Sequence, residues 1–212
     1  MVHLTTFLTT AILASTALST PAAADSDAVT SIYGPLDTWT PVKLIDVYPD
    51  ALVDGLPVND SVIYSYEPPA SATLAQHDAL SAALSARSLF KRESQTCYRS
   101  GTYVFQSQLQ SAKNTICSEA SGKSIDNGGS YGSFRSWYDA GGNNWRHIQN
   151  SNGNDATVWF WIKIHEGNVF NWNLCFNGFY KLIQNCHGSN PDSAGGVIWG
   201  YSEKIDVQID PQ

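Results

Sequence analysis

All four cysteines, Cys97, Cys117, Cys175 and Cys186, lie in the last 120 or so residues, and none precedes the dibasic pair Lys91-Arg92. A chain that can cross-link only downstream of residue 92 must build its stapled core there, and four cysteines allow three pairings. Cys175, Phe179, Leu182 and Cys186 recur on one stripe of a helix from about Asn173, its cap, to His187-Gly188, where it stops. Eleven residues of helix separate Cys175 from Cys186, about 16 Å at 1.5 Å per residue, which no disulfide spans. An earlier helix is predicted over Tyr103–Ser118, with Phe105, Leu109, Ala112 and Ile116 on one face, Ser100 or Thr102 as cap, and Cys117 at its end. Two antiparallel helices on one face of a sheet bring the end of the first to the start of the second. That favours Cys117 with Cys175 and Cys97 with Cys186, each bridge contributing about 2–4 kcal/mol. A zinc site is the rival reading, but no two cysteines are closely spaced. We expect no metal and no cofactor.

Lys91-Arg92 stands where the composition changes, and we read it as a processing site. Phe7–Leu18 is an apolar run too short to span a bilayer, followed by Pro21-Ala22-Ala23-Ala24, which suits signal peptidase. The expected division is therefore a signal peptide (1–24), a propeptide (25–92) and a mature domain (93–212) of a secreted protein that is not integral to a membrane. Residues 25–92 hold nine Asp and Glu against four Lys and Arg, and prolines such as Pro41, Pro68 and Pro69 break the segment into short extended pieces. Little regular sheet is expected there. A helix over Ser71–Ser88 is its most ordered part, either shielding an apolar face of the mature domain or belonging to an acidic spacer. Asn59-Asp60-Ser61 is a glycosylation sequon.

The mature part carries ten acidic against eight basic residues, which excludes a nucleic-acid footprint or a cationic membrane-binding surface. Thr96–Gly101 is short and extended. Gly122–Asp155 is rich in Gly, Asn and Ser, as hairpins with generous loops require. Thr157–His165 alternates as a strand, with Val158, Phe160, Ile162 and Ile164 on one face and Trp159, Trp161, Lys163 and His165 on the other, and a last strand covers Lys204–Asp210. The order strand, helix, strands, helix, strand gives an α+β fold: a disulfide-stapled two-layer sandwich, an antiparallel sheet under two helices.

Cys97 followed by Ser100-Gly101 and a helix to Cys117, then Cys175 and Cys186 bracketing Phe176, Phe179, Leu182 and Ile183, then Gly195-Gly196 and a terminal strand, resembles small secreted fungal killer-toxin-like proteins. Mushroom glycan-binding proteins share a similar layout, and a propeptide ending in Lys-Arg resembles the kexin-processed precursors of fungal toxins and effectors. The resemblance implies a compact α/β sandwich with a binding or toxin role, as in virulence, and transfers no individual residue. The expected function is a toxin or effector that binds a target on another organism. A cell-wall carbohydrate-binding protein is the alternative, and a small hydrolase the third reading.

Six of the seven tryptophans lie in the mature part, more aromatic surface than a core of this size needs. Trp137, Tyr138, Trp145, Trp159 and Trp161 are the candidate ligand-binding residues, because flat rings stack on sugars or anchor a protein partner at low entropic cost. His147, His165, Glu166 and Asp155 supply acid and base types, but His165-Glu166 lacks the second histidine of a zinc-protease helix, and no nucleophile, phosphate-loop or dinucleotide motif occurs. We expect binding rather than catalysis.

Overall fold

The computed structural model describes residues 36–67, 93–123, 125–187 and 192–212. The signal segment, the helix expected over 71–88, the pair Lys91-Arg92 and the stop at Gly188 lie outside the described residues.

The class is α+β, as the sequence predicts, and both disulfides join the favoured partners, Cys97 to Cys186 and Cys117 to Cys175. After a 3₁₀ turn at Leu36–Thr38 the elements run β1 (Thr40–Lys43), α1 (Leu44–Val47), β2 (Leu52–Val53), β3 (Leu56–Pro57), β4 (Ile63–Glu67), β5 (Ser94–Cys97) and β6 (Val104–Phe105). Then follow α2 (Gln106–Ser121), β7 (Ser130–Arg135), β8 (Trp137–Asp139), β9 (Asn144–His147), β10 (Val158–Ile164), α3 (Trp172–Asn185), β11 (Asp192–Ser193), β12 (Gly196–Tyr201) and β13 (Ile205–Pro211). The main sheet has seven strands in the order β1-β4-β7-β10-β13-β12-β5, every neighbouring pair antiparallel. A four-stranded sheet, β3-β2-β9-β8, and the pair β11-β6 flank it.

The strand at the centre, β10, behaves as its alternation predicts on the helix side. Val158, Phe160, Ile162 and Ile164 are fully buried in one cluster with Leu109 and Ile116 of α2 and Phe179 and Leu182 of α3. Gly178 lets α3 approach β13, since a Cβ there would stand 3.2 Å from Ile205 Cδ1 and 3.3 Å from Val207 Cγ1. The cap of α3 is Asn171, whose Oδ1 accepts from Leu174 N at 3.1 Å, two residues before the expected Asn173. The helix expected from Tyr103, α2, begins at Gln106 and has no side-chain cap, because Val104 and Phe105 pair with Ser193 and Asp192 instead.

The expectation of little sheet within 25–92 is corrected. Residues 40–67 contribute four strands, and β4 extends the main sheet by pairing Ser65 with Arg135 and Tyr66 with Phe134 of β7. The prolines within the described strands do not prevent this because they occupy edges. Pro41 sits in β1, the outermost strand of the main sheet, and Pro57 in β3, the outermost strand of the smaller one, where a missing N–H breaks no interior ladder. A second core follows: Leu44, Ala51, Val58 and Tyr64 close on Trp137 and Trp145. At roughly 1.5–3 kcal/mol per large buried side chain, this contact is substantial before entropy is counted. Among the described residues no helix is long and apolar enough to cross a membrane.

Candidate binding face

The face of β10 opposite the helices carries Trp159 and Trp161, as the alternation implies, but it is not open. Trp159 is 2% and Trp161 3% exposed. Trp39 meets Trp159 edge-on at 5.6 Å between centroids and Phe134 at 5.0 Å, while Trp161 packs edge-on against Trp199 at 6.3 Å. The Trp159 ring also lies across Gly132 of β7, where a Cβ would come within 2.3 Å of Cη2. Only a residue without a side chain admits the indole at that point.

Trp137, Tyr138 and Trp145 sit on strands, not in loops: Trp137 and Tyr138 in β8, Trp145 in β9. Trp145 is 1% exposed, beneath Tyr48 at 4.9 Å and Tyr64 at 5.5 Å. Trp137 is buried against the His147 ring, and Tyr138 alone of the five candidates is half-buried. Four of the five rings expected at the surface are therefore inside. Alternation along a strand assigns a side chain to a face; what packs on that face comes from elsewhere in the chain. For Trp145 and Trp159 the cover comes from residues 36–67.

Beneath that cover lies a polar cluster that sequence reading missed. A bulge positions its first member: Val42 pairs with Ser65 but Lys43 pairs with Ile63, so Tyr64 is an extra residue in β4, and a bulge re-aims the side chain at which it occurs. Tyr64 Oη donates to Glu119 Oε1 at 2.6 Å, and Tyr131 Oη donates to Glu119 Oε2 at 2.9 Å. Arg135 Nη2 forms an ion pair with Glu119 and donates to Tyr131 Oη at 3.0 Å, with the guanidinium carbon 4.7 Å from the centre of the Tyr64 ring. Arg135 is 1% exposed. Burial works against its charge, but Glu119 and the two phenols more than offset this, so its pKa lies above the ordinary value. Burial raises the Tyr64 and Tyr131 phenols, Arg135 opposing and Glu119 reinforcing, and Tyr48 is pushed up to about 12, by burial first and Glu119 second. All three stay protonated near neutrality.

The cluster leaves donors unmet. Arg135 Nε and Nη1, Trp145 Nε1 and Trp159 Nε1 are buried without a hydrogen-bond partner. Each such group costs about 1–3 kcal/mol, and Arg135, Trp145 and Trp159 all touch a ring from residues 36–67.

The exposed surface of residues 93–212 has a different aromatic feature. Trp172, Phe176 and Tyr180 follow one another at every fourth position of α3, stacked at 5.0 and 6.3 Å. Lys113 Nζ lies 3.9 Å from the Phe176 centroid and donates to Gln110 O at 3.0 Å, and burial lowers its pKa to about 8. Trp172 and Tyr180 are exposed. Beside them opens a groove of about 560 Å³ lined by Asn168, Asn171, Asn173, Asn177, Tyr201 and Lys204 among others. The signal for this ladder was present in the sequence: the same period that puts Cys175 and Phe179 inward puts Trp172, Phe176 and Tyr180 on another face.

His147 and His165 face separate carboxylates. His147 Nδ1 lies 3.3 Å from Asp155 Oδ2 in an exposed pair. His165 Nε2 lies 2.8 Å from the buried Asp206, and that hydrogen bond raises the His165 pKa. Asn59 is exposed in a turn, its Oδ1 accepting from Ser61 N at 3.0 Å. Among the described residues no three His, Cys, Asp or Glu side chains converge as metal ligands would. No protein-family model, no curated protein and no solved structure matches the chain.

Proposed function

We propose that the chain is a secreted proprotein, cut after Arg92, whose 93–212 part acts as a toxin-like or effector protein by binding a target on another organism rather than by catalysis. One observation carries this reading. Residues N-terminal to the dibasic pair close over the aromatic face of the cysteine-bearing part, Trp39 over Trp159 and Tyr64 over Trp145, and both disulfides lie within the other part, so no cross-link holds the cover. The uncut chain is latent, and cutting allows the cover to leave. The test is to treat the full chain with a dibasic-specific protease and follow it by intact mass and size exclusion, then compare cut and uncut protein for growth inhibition or host-cell death. Departure of 36–67 with activity confined to the cut form supports the proposal; a cover that stays bound after complete cutting overturns latency.

Cell-wall glycan binding is the second reading, favoured by the Trp172-Phe176-Tyr180 ladder beside the asparagine-lined groove. It predicts that even the uncut chain is retained on chitin or glucan and that Trp172→Ala abolishes retention. Retention unchanged by that substitution counts against it.

A further inference from the structure

We infer that the socket filled by Tyr64 becomes a ligand site in the cut protein, and that its ligand is the ring of a hexopyranose unit in a glycan. This rests on the latent-precursor reading and names what the uncovered face takes. The present occupant shows what fits. Tyr64 inserts a six-membered ring edge-on to Trp145, with its one hydroxyl donating to Glu119 Oε1 at 2.6 Å. The fit is incomplete: the Tyr64 hydroxyl meets Glu119 and also hydrogen-bonds the Arg135 guanidinium, yet a single hydroxyl does not reach Arg135 Nε, Arg135 Nη1 or Trp145 Nε1, and all three stay unmet. A socket evolved only to hold Tyr64 has no use for them, since each unmet buried donor is destabilising.

A pyranose ring supplies what the phenol lacks. Its several hydroxyls each donate and accept, so one ring can give a proton to Glu119 while accepting from Arg135 and from the Trp145 indole. Its apolar face suits the Trp145 ring. A second aromatic side chain would leave the same donors unmet. A phosphate or carboxylate ligand would meet the Glu119 carboxylate, which already holds the charge of Arg135. The chemistry therefore favours a neutral, polyhydroxylated ring.

The experiment uses the full chain cut after Arg92, titrated with a β-1,3-linked glucose hexasaccharide in one arm and a β-1,4-linked N-acetylglucosamine hexasaccharide in the other. Tryptophan fluorescence and calorimetry are the readouts, and intact mass reports whether 36–67 has left. The expected result is binding of one of the two sugars by the cut protein, at least about tenfold weaker in the uncut chain. Tyr131→Phe should weaken it about tenfold, as the loss of one hydrogen bond in the Glu119 network implies. If Tyr131→Phe does not fold, Trp145→Phe gives the same reading by keeping a ring and removing the N–H. Departure of 36–67 with no binding of either sugar overturns this inference and leaves latency standing. Failure of 36–67 to leave overturns both. Binding that survives Tyr131→Phe or Trp145→Phe, or that Trp172→Ala abolishes, places the sugar elsewhere and overturns the site.

Discussion

The two sides of the main sheet are closed in opposite ways. On the helix side α2 and α3 cover β10 with aliphatic and aromatic side chains that need no hydrogen-bond partners, and Cys117–Cys175 ties the two helices together. On the far side and at the β7 edge, the cover is a segment with no cysteine, and the groups beneath it include a buried guanidinium and two indoles with unmet donors. The helix side is cross-linked and leaves one buried side-chain donor of its helices unmet, Gln110 Nε2 of α2; the covered face has no cross-link and leaves a guanidinium and two indoles unmet. The comparison teaches that permanence and removability can be read from how completely a contact spends its polar groups, and not only from how much apolar surface it hides.

Reduction of both disulfides should have the largest effect, costing about 4–8 kcal/mol if each bridge contributes 2–4. Urea unfolding followed by far-UV circular dichroism, with and without reductant, measures it. If the helix side and the cover still unfold at one midpoint, they are a single cooperative unit and the contrast drawn here fails. Trp39→Ala should cost about 3–5 kcal/mol in the uncut chain, the range for truncating a buried large aromatic residue, and should raise acrylamide quenching of tryptophan fluorescence as Trp159 opens. An unchanged quenching constant would mean that something other than Trp39 seals that ring. Asn171→Ala, on the permanent side, should cost about 1 kcal/mol through loss of the α3 cap, with no effect on quenching.

The smallest effect is a pH dependence. The hydrogen bond to Asp206 raises the His165 pKa, so the stability it contributes is fully present below the unfolded value of about 6.5 and is lost as pH rises through the raised folded value. His165 is about a third exposed, so solvent screening keeps the amount modest. Asp206→Asn should lower the His165 titration midpoint seen by NMR; a midpoint that does not move would show the pair to be electrostatically silent.

Much of the permanent side was legible in the sequence. The period-two run Val158–Ile164 and the helical stripe Cys175-Phe179-Leu182 are local patterns that end in burial, and the reach of a disulfide then restricts the pairing. The cover was not legible for the converse reason. Pro41 and Pro57 argue against sheet only when the strand is interior, and whether a strand is an edge depends on partners far away in the chain. The inward turn of Tyr64 depends on a bulge opposite Lys43, which no alternation rule reports. Glu119 on α2 and Arg135 at the end of β7 are sixteen positions apart; nothing local marks them as a pair, and their union requires the sheet to have formed.

The proline in β1 also has a consequence for how the chain survives its own synthesis. The ladder of the main sheet ends on that side in a strand that cannot be fully extended by another chain, so the chain offers a poor template there for strand-by-strand aggregation. Residues 36–67 leave the ribosome before β7 exists, so a partner for the β7 edge is waiting when that strand emerges. Under the proposed cleavage, release of the segment would make β7 itself the border, and Ser130–Arg135 contains no proline to blunt it. Under the proposed processing, the cover thus acts as a guard on the growing sheet for as long as the chain stays uncut.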